Sequence, residues 1–319
     1  MPTQTLTIKK VTGVMDPIAT DNKTRGVAII GMACLLPGAP SLTTYWENIL
    51  NKVDAITDPP PEAWHSDIFY DRTSRANDRV YCKKGGYLGP IAHFNPLQHG
   101  VMPIGAQGGE PDQWLALEVA TRALRDAGYL DAKQTRERTA VIIGKGTYLN
   151  RGNLSMIQHG LVVDQTIDIL RKLYPDQLES RWGEVREELK SQLPPFNTET
   201  ATAVVPNIIA GRIANKLDLM GPSYTVDAAC ASSLLAVEQA VQGLRSGAYD
   251  MALVGGAQVT TPIPVLTLFC QLEALSRNER IRPFDKDADG TILSEGLGMI
   301  VLKRLDAAER DGDRIYGVL

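Results

Sequence analysis

One cysteine in this chain stands where a nucleophile would be built. Cys230 follows the β-branched run Ser223-Tyr224-Thr225-Val226 and sits within Asp227-Ala228-Ala229-Cys230-Ala231-Ser232-Ser233. A helical pattern, Leu234, Val237, Val241 and Leu244, comes directly after it. Small neighbours let the backbone turn sharply and leave the thiol reachable, the logic of a strained nucleophile elbow. At a helix N-terminus the dipole and backbone N–H groups favour the thiolate, the form that attacks a thioester. The opposing reading is a small cysteine filling a tight turn, which is common. Spacing alone leaves the two readings level.

Other candidates weigh less. Cys34, Cys82 and Cys270 lack an elbow and read as packing residues, and no pair has the CxxC spacing. Four scattered cysteines in 319 residues do not make a disulfide scaffold, so reduced thiols are expected. Asp285-x-Asp287-x-Asp289-Gly290 imitates the start of a calcium loop, but the position that needs glutamate holds Gly296. Gly144-Lys145-Gly146 and Gly255-Gly256 follow strands without completing a dinucleotide fingerprint. His159 follows a polar loop and reads as a lone histidine. Trp46, Trp64, Trp114 and Trp182 read as helix-packing residues rather than a platform for bases.

The elements that must position Cys230 alternate. Val27–Ile30 reads as a buried strand ended by Gly31, and a helix starts near Ser41 with Leu42, Tyr45, Trp46, Ile49 and Leu50 at helical spacing. Thr57 to Gly109 is rich in Pro, Gly and polar residues and reads as long loops. Glu110-Pro111-Asp112 reads as an acidic helix start, Leu117, Ala120, Leu124 and Ala127 as one helix face, and Gly128 as the stop. Thr139–Gly144 is the next strand. Val162 to Leu193 reads as two helices broken at Pro175. The second is opened by a capping box, Asp176-x-x-Glu179, and has Leu178, Trp182, Val185 and Leu189 on one face. After the cysteine helix, Gly247 stops the chain and Met251–Val254 begins another strand. Alternating strands and helices imply an α/β layered fold. Ile315–Leu319 reads as a strand just beginning, which suggests the front part of a longer domain.

Bulk composition excludes several classes. Apolar residues make up 44% and charged residues 22%, an ordinary globular balance. A net charge of −4, with no basic stripe interleaved with aromatics, argues against nucleic acid as the main partner. The first 25 residues lack the apolar segment of a signal peptide, and no run reaches the ~18 apolar residues of a membrane span. A cytoplasmic protein with a loose N-terminal tail is expected.

Around the cysteine the sequence becomes specific. Val226 to Ser233 resembles the active-site motif of β-ketoacyl synthases from polyketide and fatty-acid synthases. Val27-Ala28-Ile29-Ile30-Gly31-Met32-Ala33-Cys34-Leu35-Leu36-Pro37-Gly38 resembles the opening of that family. Asn207 to Asn215 resembles the segment before the nucleophile strand, and Arg282 to Gly290, then Glu295 to Gly298, resemble the loop and hairpin after it. The matches run in order from about Gly26 to the C-terminus. On this resemblance Cys230 becomes the nucleophile, with its own N–H as one oxyanion donor.

The resemblance implies a thiolase-like layered fold, of which this chain would hold the N-terminal half and the start of the second. It implies a flexible tail over 1–25 and a synthase domain over 26–319, cut before the catalytic histidines. It implies acyl transfer from an acyl carrier protein to the cysteine, then decarboxylative Claisen condensation with a malonyl carrier protein. No cofactor is bound, phosphopantetheine arriving on the carrier, and the complete synthase is expected to be a homodimer. The family's two histidines and nearby lysine belong to its C-terminal half. Here His65, His93, His99 and His159 all precede Cys230 and none has the family's histidine context. The Gly-rich phenylalanine segment of the oxyanion hole is missing too, so this chain alone is expected to be catalytically incomplete, because losing such groups costs orders of magnitude in rate. A further departure is Glu110-Pro111-Asp112-Gln113-Trp114, where the family usually reads Asp-Pro-Gln-Gln-Arg. That departure resembles synthases of the polyunsaturated-fatty-acid or glycolipid type. Two other readings compete: a degradative thiolase, disfavoured by the Asp285–Gly290 loop, and a non-catalytic partner or remnant subunit, disfavoured by Cys230.

Overall fold

A computed structural model describes residues 26–61, 63–131, 133–146 and 149–319. The expected tail over 1–25 lies outside them. In chain order the main elements are β1 (Val27–Leu35), α1 (Leu42–Leu50), α2 (Pro111–Asp126), β2 (Thr139–Gly144), α3 (Arg151–Ile157), α4 (Val163–Leu173), α5 (Glu179–Ser191), α6 (Thr198–Ala203), α7 (Ile208–Leu217), β3 (Ser223–Val226), α8 (Ser232–Ser246), β4 (Met251–Gln258), α9 (Ile263–Gln271), β5 (Gly296–Arg304), α10 (Leu305–Asp311) and β6 (Gly317–Val318). The six strands form one sheet in the order β3-β2-β4-β5-β1-β6. β2 runs parallel to β3 and β4, and β5 runs antiparallel to β4 and β1.

The central strands are buried on both faces, and their alternation sorts side chains into two cores. Val141 and Ile143 of β2, with Leu253 of β4, pack with α2 and α7 on one face. Ala140, Ile142, Ala252 and Val254 pack with Ala236, Ala240 and Leu244 of α8 on the other. The α/β layering read from the sequence is therefore present, with α8 sandwiching the sheet against α2 and α7. Among its described residues the 57–109 stretch has short helical turns, Ser66–Phe69 and Pro103–Ala106 among them, and isolated β-bridges such as Thr57 with Gly85, in keeping with its composition.

Several local expectations need correction. β1 does not end at Gly31 but continues to Leu35 through a register shift between Ile29 and Gly31. A Cβ on Gly31 would lie 2.6 Å from Ala127 Cβ and 2.7 Å from Ala123 O, so this glycine serves close approach of α2 rather than termination. α1 starts at the Ser41 cap, yet Trp46 and Leu50 are 60% and 62% exposed. Helical spacing marks an apolar stripe; it does not say that another element covers it. Trp64, Trp114 and Trp182 are packed, so the reading of Trp46 alone fails. α5 begins with Leu178 as an uncapped, exposed residue, and Glu179 pairs with Arg171 of α4 instead of closing a capping box. Trp182, with Val185 and Leu189, does pack onto Val163 and Ile167 of α4. On α8, Leu234 is exposed and Val237 half-buried, but Val241 and Leu244 lie in the core, so the exposed part of this apolar stripe is confined to the first turns. Ile315–Leu319 contributes the edge strand β6, paired with Ala28 and Ile29.

Candidate active site

Cys230 occupies the turn between β3 and α8, as the spacing predicted. The turn is a single 3-10 unit, Ala229–Ala231, and Ala229 has φ +51°, the left-handed region that non-glycine residues avoid. Holding such a residue costs on the order of 1 kcal/mol or more, so the surroundings must over-determine it. They do. Ser232 Oγ accepts the Ala228 N–H at 2.9 Å and donates to Ala229 O at 2.6 Å. Asp227 Oδ1 accepts the Ala229 N–H at 2.9 Å. The motif's polar residues thus brace the elbow, and its alanines keep it small.

The neighbouring strand exit makes room for it. A Cβ on Gly144 would come within 2.4 Å of the Ser232 backbone, so only glycine lets the start of α8 sit on the end of β2. Cys230 is exposed on an open cavity of about 620 Å³. Gly144–Gly146, Gly255–Gln258, Phe269 and Glu295–Gly298 form its other walls. The glycine exit of β2, the glycine pair inside β4 and the strand start after Arg282–Gly290 therefore converge on the cysteine, although they are spread over more than 150 residues of chain.

The other thiols are built differently. Cys34, Cys82 and Cys270 are buried. Burial pushes each thiol up, Cys82 to about 12 with the Glu279 carboxylate adding to the effect. A thiol that resists ionisation is inert. None of the four histidines lines the cavity. His99 bonds Glu118 at 2.6 Å and stacks on Phe94, and His159 Nε2 lies 2.9 Å from Pro194 O. The Asp285–Asp289 carboxylates serve a turn, Asp289 accepting from Ser276 Oγ at 2.7 Å and Asp285 from the Asp287 N–H at 2.8 Å. Among the described residues no group of three or more histidine, cysteine or acidic side chains is placed to hold a metal.

Sequence reasoning missed the charged residues beside the cavity. Glu110 and Asp112 do not face solvent at the start of α2 but are 1% and 0% exposed. Asp112 pairs with Lys145, which the incomplete glycine pattern had concealed. Burial pushes Glu110 up to about 7, helped by the neighbouring Asp112 charge and opposed by Lys145. The available signal was the acid at position 112, where the family reads glutamine, together with a lysine at a strand exit.

Comparison with known proteins gives the same reading of the chain. The pattern of the "Beta-ketoacyl synthase, N-terminal domain" family matches residues 24–308. Among curated relatives, a PKS-NRPS hybrid synthetase of Aspergillus candidus is 34% identical over 92% of this chain and 10% of its own length. A polyunsaturated fatty acid synthase polypeptide from a Thraustochytrium species is 30% identical over 92% of this chain and 10% of that protein. Among solved structures, the ketosynthase from module 6 of the Bacillus subtilis bacillaene synthase aligns with a TM-score of 0.73 and 30% identity. That alignment covers 92% of this chain and 43% of the ketosynthase. An oxazolomycin ketosynthase domain of Streptomyces albus gives 0.74 and 27%, over 92% of this chain and 45% of the other. The chain thus spans under half the length of these ketosynthases. A family match over most of the chain and a shared fold lead to one conclusion: the chain belongs to the β-ketoacyl synthase family.

Proposed function

We propose that this chain carries the acyl-loading part of a β-ketoacyl-[acyl carrier protein] synthase of polyketide or fatty-acid biosynthesis, with Cys230 as the acyl acceptor. The carrying observation is the contrast among thiols: one exposed at a braced elbow on a cavity, three buried in the core. The Cys230 thiolate attacks the carbonyl of a thioester on phosphopantetheine. A new C–S bond forms, the carrier's C–S bond breaks, and the released pantetheine thiolate takes up a proton. The cysteine's own N–H, at the N-terminal turn of α8, is suited to donate to the developing oxyanion. The reading makes acyl and malonyl carrier proteins the partners, and a homodimer the working form of the complete synthase.

Condensation asks for more. Decarboxylating a malonyl thioester needs acid–base groups at the thioester, and this chain's histidines stand outside the cavity. Acylation without chain extension is therefore the activity assigned to these residues alone. The test is to incubate the full-length protein with an acyl-pantetheine thioester or with cerulenin and to map the adduct by mass spectrometry. Modification at Cys230 is expected. Modification at Cys34, Cys82 or Cys270 with Cys230 untouched would overturn the assignment. The 319-residue chain alone, given acyl thioester and malonyl carrier protein, should form the acyl adduct and release no β-keto product.

A further inference from the structure

A cluster of buried charge borders the Cys230 cavity, and acyl transfer makes no use of it. Lys145 lines the cavity but is only 7% exposed, and its ammonium pairs with Asp112. The other Asp112 oxygen accepts the Val259 N–H at 2.6 Å. Glu110 accepts the N–H groups of Arg151 and Gly152 at 2.9 and 3.4 Å and the Thr260 hydroxyl at 3.3 Å. Thr260 O accepts from Gln258 Nε2 at 2.5 Å, and Gln258 is itself a cavity wall. The Lys145 N–H donates to Val226 O at 3.0 Å, the last residue of β3 before the elbow.

The placement matters because β4 keeps one of its two ladders here: Ala257 and Gln258 remain paired with Leu297 and Gly296 of β5, while the pairing with β2 has ended. The β2–β4 ladder ends at Gly144 opposite Gly256. Beyond it, no strand pairing between β2 and β4 holds Ala257–Thr260 near the β2 exit. The Lys145–Asp112–Val259 link spans that gap. Charge excludes a different role. The single positive charge of Lys145 is matched by Asp112, with Glu110 close by, so the cluster has no net positive field to recruit a substrate carboxylate. What it supplies is direction: through Asp112 it ties Lys145, on one wall of the cavity, to Val259, the residue that follows the wall residue Gln258.

We propose that Lys145, held by Asp112, is a positioning residue that fixes the β4 exit against the Cys230 elbow and so limits the length of acyl group the cavity accepts. This rests on Cys230 being the acyl acceptor. Released from the link, Val259 and Thr260 no longer pin the end of β4 to the β2 exit, and the cavity lengthens beside Gln258.

The test compares acetyl- and octanoyl-pantetheine as donors to the full-length protein, reading the rate of Cys230 acylation by peptide mass spectrometry. The double variant Lys145→Met/Asp112→Asn removes both charges together and keeps an acceptor for Val259, so no unpaired ion is left buried. It should raise the octanoyl-to-acetyl rate ratio about tenfold, the scale of one or two methylene contacts in a pocket. Thr260→Val, which cuts one tie and leaves the ion pair, should shift the ratio the same way by about threefold, the scale of one hydrogen bond. An Arg138→Met/Asp250→Asn control removes a surface ion pair (2.8 Å) at the opposite end of the strands and should leave the ratio unchanged. A loss of folding alone would slow both donors alike, and if the double variant does not fold, Thr260→Val decides. A ratio within twofold of wild type, with Cys230 still acylated, overturns the positioning role. Failure to acylate Cys230 in the wild type overturns the acceptor assignment, and the positioning role with it.

Discussion

The two ends of the central strands bury a lysine in opposite ways. At one end Lys303 of β5 sits opposite Met251, the first residue of β4. Its ammonium reaches Tyr129 OH at 2.7 Å, Asp311 at 2.6 Å and Asp313 at 2.8 Å, so three donors meet three acceptors. Tyr129 OH donates in turn to Asp313 at 2.7 Å. At the other end Lys145 follows the last residue of β2, pairs with Asp112 and forms part of the wall of a cavity. The first cluster is a closed structural network. The second borders the open cavity on which Cys230 stands. Burial of a charge does not by itself separate the two clusters; the open cavity beside the second does.

Breaking the closed end should cost the most. Burial pulls the Lys303 ammonium down, but the hydrogen bonds with Asp311, Asp313 and Tyr129 outweigh it and hold the group above the ordinary lysine range. Its contribution is therefore present below the unfolded lysine value and lost in strong alkali; because the same bond holds Asp311 below the ordinary carboxylate range, it is lost in acid as well, as Asp311 takes up a proton. Lys303→Met strands Asp313, whose side chain is 8% exposed. The expected loss is about 3 kcal/mol, the low end for a broken buried pair because Asp311 reaches solvent. Thermal melting should report it, with the rate of Cys230 alkylation in the folded protein unchanged. A fall in that rate would mean the two ends are coupled and the contrast between them is wrong.

The cavity end should show a pH signature instead. Because burial raises Glu110 to about 7, the folded chain keeps a proton that the unfolded chain releases nearer its ordinary value. Stability from this group is greatest at low pH, falls as pH rises through that interval, and levels off above it. The size is on the order of 3 kcal/mol, from roughly 1.4 kcal/mol per unit. Carboxylates held low, such as Asp289 and Glu118, have the opposite sign and act at more acidic pH. Urea midpoints at pH 5 and pH 7.5 should therefore fall more for the wild type than for Glu110→Gln. Equal slopes in the two proteins would remove Glu110 from the account.

What the sequence made legible follows from how far each signal reaches along the chain. The elbow, β2, β4 and the helix after Cys230 were readable because alternation, helical spacing and small-residue runs are local. Gly144 was readable as a strand exit for the same reason, whereas Gly255-Gly256, read the same way, lies inside β4, where a Cβ on Gly255 would come within 2.0 Å of Gly298 O. The Lys145–Asp112 pair was not, since its partners are 33 residues apart and Val259 is 147 residues from Asp112. The acids of Glu110-Pro111-Asp112 fitted a helix-dipole role equally well in sequence, and only burial separates the two roles. β1 ran past Gly31 because a glycine that admits a neighbouring helix looks, in one dimension, like a glycine that stops a strand. The exposed stripe of α1 has the same origin: periodicity defines a face and leaves its partner open.

The smallest effect on stability should come from the residue that matters most for chemistry. Cys230 is exposed, so its sulfur fills no core space, and Cys230→Ser should change stability within about 0.5 kcal/mol, the usual range for a surface substitution. Cys82 is the useful counterpart. It is 1% exposed, its Sγ lies 3.8 Å from Lys84 O, and burial holds its thiol near 12. Cys82→Ser places a hydroxyl in an apolar site and should cost about 1 to 3 kcal/mol. Labelling should run the other way. With limiting iodoacetamide at neutral pH, Cys230 should take up one equivalent in the folded wild type, and Cys230→Ser should take up almost none until the chain unfolds. Cys82→Ser should label like the wild type while melting earlier. Were Cys230→Ser to unfold the protein as readily as Cys82→Ser does, the elbow would be a packing turn filled by a small cysteine, and the reading of it as a presented nucleophile would fail.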